Sequence, residues 1–220
     1  MKKIDYSLYL VTDRPLCLGK ELVDVVKAAV AGGVTMVQLR EKEASTREFL
    51  AVGMEIKKIH AKKAVPLIIN DRVDIALALE AEGVHLGNND MSYEKARKIL
   101  GKNSIIGLSA ENVKDAVRAS RLGADYIGVS PVYTTPTKPE LETGLGLEGL
   151  REIRGVTRLP LIAIGGINAA NCREAIESGA DGVAVVSAVC SAADPGSIAR
   201  AILSEIRIGE IKRDEIKRYR

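Results

Sequence analysis

The chain has 220 residues, of which 46% are hydrophobic and 28% are charged, a composition typical of a globular protein and unlike that of a disordered or fibrous one. Its formal net charge of +3 comes from residues 207–220, which hold six Lys or Arg against three Asp or Glu, whereas the remaining body has 26 residues of each sign. A neutral body with one Phe, six Tyr and no Trp offers little for stacking bases, so we expect no nucleic-acid binding.

The N-terminal segment MKKIDYSLYLVTD is interpreted as a first strand and not as a signal peptide, because it carries Asp5 and Asp13 and lacks a small-residue cleavage site. No apolar run approaches the roughly 18 residues that cross a membrane, so we expect no membrane association. Cys17, Cys172 and Cys190 are odd in number and lack CxxC spacing. This pattern indicates reduced thiols in a cytoplasmic protein.

Short strand-like runs alternate with helix-length amphipathic segments along the whole chain. Glycines in AVAGGV, LEAEGV, SRLGAD and ESGADG are predicted to end helices, because Gly adopts the left-handed conformation easily. The strands are rich in Val, Ile and Leu on both faces, as parallel strands covered by helices are. Eight such units favour a closed (β/α)8 TIM barrel over an open doubly wound sheet. The predicted strands are 7–13, 35–41, 65–71, 84–87, 104–110, 126–132, 159–166 and 182–188.

No linker or composition break divides the chain. We therefore expect one catalytic barrel domain over residues 1–206, followed by residues 207–220 as a charged tail or an extension of the last helix.

Polar residues follow nearly every predicted strand at its C-terminal end, where the side chains of such a barrel face a common mouth. Gln38, Arg40 and Lys42 share parity, so they can point to one side of an extended strand. The other strand ends contribute Asn70, Asp71, Arg72, Asn88, Asn89, Asp90, Ser109 and Ser187.

The ends of strands 7 and 8, Gly165–Gly166 and Val186–Ser187, suit a phosphate group, because loops at these positions bind phosphate through backbone N–H groups. An ordinary turn is the alternative. The sequence SAVCSAADPG leaves room for a short helix before the last helix starts at Asp194–Pro195, which favours the phosphate interpretation.

Asp71 and Asp90 end adjacent predicted strands, and Mg2+ commonly takes one or two protein carboxylates. A general acid–base pair and simple helix caps are alternatives for these two residues.

Four cations, Arg40, Lys42, Arg72 and Lys138, are predicted beside the two carboxylates and suit a second anion such as a diphosphate. Arg72 could instead pair with a surface carboxylate. Lys138 lies in a stiff, hydroxyl-rich loop after strand 6 that can reach both anion sites. His60 is expected to be exposed, and His85 to lie in the core or at the mouth, without an evident partner. The sequence thus shows no evident nucleophile or strong base.

The motifs LYLVTDR, QLREK, IIND, GVHLG followed by Asp90, GLS, TPTK followed by GLEGL, AIGGI and VVS run from residue 8 to residue 187 and resemble the thiamine phosphate synthase family. The resemblance implies that 4-amino-2-methyl-5-hydroxymethylpyrimidine diphosphate and thiazole phosphate are joined by dissociative substitution, with release of diphosphate. Asn88–Asn89 and Ser130 depart from the commoner family pattern, which puts substrate preference in question but not the reaction class.

The resemblance also implies the site. One Mg2+ per subunit would be held by Asp71 and Asp90, and Arg40, Ser109 and Lys138 would be catalytic. The pyrimidine diphosphate would contact Gln38, Leu39, Arg40, Glu41, Lys42, Asn70, Ser109 and Lys138. The thiazole phosphate would contact Thr135, Pro136, Thr137, Gly165, Gly166, Val186 and Ser187.

Three other functions stay open at this point. A thiazole tautomerase-like relative would share the barrel and phosphate site, a class I aldolase would use Lys138 as a Schiff base, and a non-catalytic barrel would only bind phosphate. The expected partners are small-molecule substrates, and a homo-oligomer is compatible with the sequence.

Overall fold

The computed structural model describes residues 4–134 and 144–218, with the backbone alone for residues 60–62 and 216–218. Its strands are β1 (Leu8–Val11), β2 (Met36–Leu39), β3 (Leu67–Asn70), β4 (Gly83–Leu86), β5 (Ile105–Ala110), β6 (Tyr126–Val129), β7 (Leu161–Ala163) and β8 (Gly182–Val185). Its helices are α1 (Leu22–Ala31), α2 (Thr46–Lys63), α3 (Val73–Ala78), α4 (Tyr93–Leu100), α5 (Val113–Leu122), α6 (Gly146–Val156), α7 (Cys172–Glu177), α8 (Ser187–Cys190) and α9 (Pro195–Arg218). None of the helices among these residues is long and apolar enough to cross a membrane.

The strands form a closed barrel in chain order, in which each is parallel to both neighbours and β8 pairs with β1. The predicted (β/α)8 barrel is therefore confirmed. Alternation along each strand separates two apolar layers, as the period of two requires. On β1, Tyr9 and Val11 face the barrel interior, whereas Leu8 and Leu10 pack in the larger layer between barrel and helices.

Seven of the eight strands are shorter than the sequence predicted, and β4 has the predicted length of four residues; the polar residues at the C-terminal ends of the predicted runs mostly lie beyond the sheet. The eighth predicted run, 182–188, shows this most clearly. β8 ends at Val185, Val186 caps α8, and Ser187 is the first residue of that helix. The short helix that the sequence left room for is thereby confirmed, and α9 begins at Pro195 as predicted.

The predicted glycine corners are only partly correct. Gly123 closes α5 with a φ of 81°, and its N–H group donates to the carbonyls of Ala119 and Ser120. After α3, however, the left-handed residue is Glu80, with a φ of 48°, and Gly83 is the first residue of β4. A Cβ atom at Gly83 would lie 1.9 Å from the carbonyl oxygen of Ile105, so close strand packing requires this glycine.

The charged C-terminal segment continues α9 without a break at residue 206. Lys212 Nζ lies 3.1 Å from Glu177 Oε2 on α7, and Arg213 donates to the carbonyl of Ala180 at 2.5 Å. These contacts hold the end of α9 against α7 and the start of β8, so the basic residues of this segment include structural anchors.

Candidate active site

A cavity of about 530 Å³ opens at the C-terminal ends of the strands, which is the end at which the sequence predicted the site. Its lining includes most of the predicted residues that the structure describes. These are Gln38, Arg40, Lys42, Asn70, Asp71, Asn88, Asn89, Asp90, Ser109, Gly165, Gly166, Val186 and Ser187.

Asp71 and Asp90 lie in the segments that follow β3 and β4, close enough for each carboxyl group to shift the pKa of the other. Asp90 Oδ2 also accepts from the N–H group of Gly87 at 2.7 Å, and Asp71 Oδ2 lies 2.6 Å from Lys42 Nζ. Two neighbouring carboxylates repel each other unless a proton or a cation lies between them. The pair therefore suits a cation.

The two carboxyl groups have different proton affinities. Burial alone would raise the pKa of Asp71, but the hydrogen bonds with Lys42 and Asp90 and the charge of Lys42 hold that pKa below its usual value. The pKa of Asp90 is raised, by burial and then by its hydrogen bond with Asp71. Asp71 is consequently the more strongly ionised member of the pair.

The described lining is acidic on balance. Its cationic side chains are Arg40 and Lys42, and its carboxylates are Asp13, Asp71, Asp90 and Glu111. Arg40 donates to Asp13 Oδ2 at 2.7 Å and Lys42 to Asp71, so each cation already has a carboxylate partner. Within the described residues no group of three or more His, Cys, Asp and Glu is arranged to hold a metal. The two neighbouring carboxylates of Asp71 and Asp90 fit a cation such as Mg2+, which commonly takes one or two protein carboxylates.

Three residues that the sequence analysis placed in the substrate site have side chains directed away from the cavity. Leu39 is fully buried in the layer between barrel and helices, because its parity is opposite to that of Gln38. Glu41 makes a two-point ion pair with Arg14, whose Nη2 lies 2.8 Å from Glu41 Oε1. Arg72 binds both carboxylate oxygens of Asp74, at 2.6 and 2.8 Å. The surface-pair alternative for Arg72 is therefore the correct one, and Leu39 and Glu41 are not among the cavity-lining residues.

Gly165 and Gly166 lie where β7 meets the segment that follows β6. Their φ angles are 100° and 65°, and Cβ atoms at these positions would lie 2.6 Å from Pro131 Cβ and 2.8 Å from Tyr133 Cβ. Both positions thus require glycine, because the φ angles are positive and because the segment after β6 leaves no space for a Cβ atom. Both glycines and Ser187 line the same cavity, and the phosphate site stays a prediction.

The proposed loop ligands Thr135, Pro136, Thr137 and Lys138 lie outside the described residues. Thr134 and Gly144 are the described residues on either side of that segment.

Five side chains form a continuous hydrogen-bonded chain inside the barrel, beneath the charged rim. Gln38 Nε2 donates to Tyr9 Oη at 2.9 Å, and the Tyr9 and Tyr126 hydroxyls are 2.9 Å apart. The Tyr126 hydroxyl lies 3.0 Å from His85 Nδ1, and His85 Nε2 lies 3.0 Å from Ser109 Oγ. All five residues border the cavity.

Sequence reasoning selected Gln38 and Ser109 from this chain, missed Tyr9 and Tyr126, and found no partner for His85. A signal was available, since Tyr9 shares strand parity with Val11 and Asp13. An inward-facing tyrosine of a closed barrel has a buried hydroxyl that needs a partner.

The sequence profile of a family described as thiamine monophosphate synthase matches residues 8–189. The thiamine-phosphate synthase of Albidiferax ferrireducens is 53% identical over 188 residues, which cover 86% of this chain and 86% of that relative. The thiamine-phosphate synthase of Chloroflexus aurantiacus is 46% identical over 209 residues, which cover 95% of this chain and 96% of the relative.

A solved structure, thiamine phosphate pyrophosphorylase from Pyrococcus furiosus, matches with a TM-score of 0.87 and 38% identity, and covers 94% of this chain and 98% of its own. A 3-hexulose-6-phosphate synthase at 18% identity and a TM-score of 0.69 shares the fold alone. The profile match spans Lys42, Asp71, Asp90 and Ser109, and the curated relatives cover most of the chain, so the chain belongs to the thiamine monophosphate synthase family.

Proposed function

We propose that the protein is a thiamine-phosphate synthase, which joins 4-amino-2-methyl-5-hydroxymethylpyrimidine diphosphate to thiazole phosphate. The observation that carries this proposal is the pair of carboxylates, Asp71 and Asp90, at the mouth of a closed barrel, together with Lys42, whose Nζ lies 2.6 Å from Asp71 Oδ2. Identities of 46–53% to curated thiamine-phosphate synthases support it.

Asp71 and Asp90 would hold Mg2+, which when bound neutralises charge on the diphosphate. Lys42 is placed to move from Asp71 to a diphosphate oxygen, because its side chain is half exposed and flexible. Arg40, held by Asp13 at 2.7 Å, presents a planar cation at the same rim. Lys138 would add a third cation from the loop after β6.

The substitution needs charge neutralisation and orientation but no base. The bond between the exocyclic carbon and the diphosphate oxygen breaks, the diphosphate leaves with the electron pair, and the thiazole nitrogen forms the new C–N bond. That nitrogen has no proton to lose. Accordingly, the described part of the cavity offers cations, carboxylates and hydroxyl groups, which can stabilise the leaving group and align the two rings.

The thiazole phosphate would bind where Gly165–Gly166 and Val186–Ser187 border the cavity, and Thr135, Pro136 and Thr137 would contribute further contacts. The remaining pyrimidine contacts would come from Gln38, Asn70 and Ser109. A homo-oligomeric state stays a prediction. We further propose the cytoplasm as the compartment, because Cys17, Cys172 and Cys190 are all free and buried thiols.

The alternatives each lack a supporting feature. A tautomerase-like relative does not need the Asp71–Asp90 pair, and a purely phosphate-binding barrel does not need Lys42 beside it. A Schiff-base mechanism would use Lys138 and needs a lysine buried on a strand, whereas Lys138 lies beyond the end of β6 in the sequence, next to Pro139.

The direct test incubates the protein with both substrates and Mg2+ and follows diphosphate and thiamine phosphate. Asp71→Asn should abolish most turnover. Asp74→Asn is the matched control, since Asp74 pairs with Arg72 outside the cavity and should retain wild-type turnover. Formation of no thiamine phosphate by the wild-type protein, with thiazole phosphate binding retained, would refute the synthase assignment.

A further inference from the structure

The hydrogen-bonded chain from Gln38 to Ser109 occupies a space that two strand glycines provide. A Cβ atom at Gly107 would lie 2.0 Å from Cζ of Tyr126, and one at Gly128 would lie 3.0 Å from Cε1 of His85. The His85 and Tyr126 rings stack at 5.5 Å with an interplanar angle of 26°. The rings are therefore held in place from several sides.

The chemistry of the groups gives the chain a direction. An amide nitrogen can only donate, so Tyr9 Oη accepts from Gln38 and must place its own proton elsewhere. The Tyr9 side chain is buried, and the Tyr126 hydroxyl at 2.9 Å is the acceptor within reach. The opposite direction would leave the Tyr9 proton without this acceptor, which is unfavourable in a buried site.

The same reasoning continues to the far end. Once Tyr126 accepts from Tyr9, its proton goes to His85 Nδ1 at 3.0 Å. An imidazole whose Nδ1 accepts carries its proton on Nε2, and that proton goes to Ser109 Oγ at 3.0 Å. Ser109 then accepts from His85, and its own hydroxyl proton is free to donate into the cavity.

We propose that Tyr9, Tyr126 and His85 are positioning residues that form a one-way hydrogen-bond chain and hold Ser109 as a donor toward an anionic substrate oxygen. None of these three needs to touch the reacting atoms. In the proposed synthase, on which this role depends, the acceptor is an oxygen of the pyrimidine diphosphate. The hydrogen-bond chain also couples the two ends of the site. A rotation of the Gln38 amide that exchanged its nitrogen and oxygen would invert donor and acceptor in every hydrogen bond as far as Ser109.

The first test needs no substrate, so its result is independent of the proposed function. The protein has two histidines, and comparison with His60→Gln assigns the imidazole signals of each in a 15N-labelled sample. Two-bond 1H–15N correlations of the wild-type protein near neutral pH should show His85 as the neutral tautomer protonated at Nε2. A proton on Nδ1, alone or in an imidazolium, would overturn the proposal.

The second test separates positioning from general stability. Tyr126→Phe should lower kcat on the order of tenfold, which is less than the roughly hundredfold loss expected when a donor to developing charge is itself removed. In a Ser109→Ala background the same change should cause no further loss of kcat, because Tyr126 acts through Ser109. If the loss of kcat in the double variant equalled the product of the losses in the two single variants, the positioning role would be refuted.

Tyr6→Phe is the matched control. The Tyr6 ring lies 5.5 Å from that of Tyr126, but its hydroxyl contacts the carbonyl oxygen of Asp125 and lies outside the chain. This variant should keep the wild-type kcat and the wild-type His85 tautomer. A loss of kcat in Tyr6→Phe equal to that in Tyr126→Phe would attribute both effects to packing and overturn the proposal. If the wild-type protein showed no turnover, the tautomer measurement alone would decide the proposal.

Discussion

Lys42 Nζ lies 2.6 Å from Oδ2 of Asp71, a residue whose backbone has a left-handed φ of 60°. The N–H group of Arg72 donates to the carbonyl of Asn70 at 2.6 Å, so Asp71 is the central residue of a tight three-residue turn. A residue with a Cβ atom is unfavourable by roughly 1–2 kcal/mol in this conformation. Strain of this kind is common at functional sites.

Replacing Asp71 by glycine and by alanine separates the carboxylate from the backbone. Both variants lose the charge and should lose turnover. Asp71→Gly should nevertheless be more stable than Asp71→Ala by roughly 1 kcal/mol, because only glycine adopts a φ of 60° without strain. Urea unfolding of both variants measures the difference. Equal stability would mean that residue 71 can relax to a negative φ.

Removing one carboxylate of the pair should separate metal binding from folding. In Asp90→Asn the amide oxygen can still accept from Gly87 N–H, but the charge next to Asp71 is gone. We expect Mg2+ affinity to fall tenfold or more, on the order of the effect of one carboxylate ligand. Without Mg2+ the variant should be at least as stable as the wild type, since a like-charge contact is removed.

Calorimetric titration with Mg2+ and thermal unfolding with and without a chelator check this expectation. Asp24→Asn, an exposed acid on α1, should leave both measurements unchanged. Wild-type Mg2+ affinity in Asp90→Asn would exclude Asp90 as a ligand.

Buried tyrosines should make the protein sensitive to alkali. Burial raises the pKa of Tyr6 to about 12 and also raises those of Tyr9 and Tyr126. The folded state then keeps protons that the unfolded state loses above about pH 10, so these groups contribute full stability below that pH and progressively lose it above. The urea concentration at the midpoint of unfolding should decrease as the pH is raised from about 9 to about 11. The phenolate absorbance of these three residues should appear only when the protein unfolds. Ionisation of all tyrosines in a protein that is still folded at about pH 11 would contradict the burial.

The glycine under Tyr126 should tolerate no side chain. In Gly107→Ala the new Cβ atom would lie 2.0 Å from the Tyr126 ring, and neither strand can move without disturbing the barrel. We expect a loss of roughly 1–3 kcal/mol in unfolding free energy, together with lower turnover. Gly155→Ala is the control, because a Cβ atom there has no neighbour within 4 Å and α6 favours alanine. Denaturant unfolding distinguishes them, and equal effects of the two changes would contradict the structure.

The end of α9 should contribute to stability through Arg213. This side chain donates to the carbonyl of Ala180 at 2.5 Å and lies 3.9 Å from Asp181, which Arg154 also binds. Arg213→Ala should lower the unfolding free energy by roughly 1–2 kcal/mol, the range for a hydrogen bond from a charged donor. Arg207→Ala, on an exposed face of the same helix, should change it by less than about 0.5 kcal/mol. Loss of equal size at both positions would mean that helix propensity, and not the anchor, is responsible.

Much of the site followed from the strand order. Parallel neighbours bring their C-terminal ends to one edge, so the sequence predicts that Asp71 and Asp90 are adjacent. Strand parity likewise placed Gln38, Arg40 and Lys42 on one side. The family resemblance adds Leu39 and Glu41 to the pyrimidine site, but the structure directs Leu39 into the outer apolar layer and pairs Glu41 with Arg14.

Parity could not decide what each charged side chain would bind. Arg40 and Arg72 both follow strands, yet Arg40 pairs with Asp13 inside the cavity rim, whereas Arg72 turns to Asp74 on its own helix. The difference depends on the turn around Asp71, in which a left-handed residue changes the direction of the chain. Local sequence shows no such turn, because aspartate adopts either conformation.

By itself, then, the sequence determined the barrel, the end at which the cavity opens and the two carboxylates, Asp71 and Asp90, that line it. These features depend on short-range periodicity and on the fixed geometry of parallel strands. Only the tertiary structure decided the hydrogen-bond chain, in which Tyr9 and Tyr126 meet across 117 residues of sequence. Such a contact depends on the closure of the barrel and on the space that Gly107 leaves, and neither is encoded in the residues next to either tyrosine.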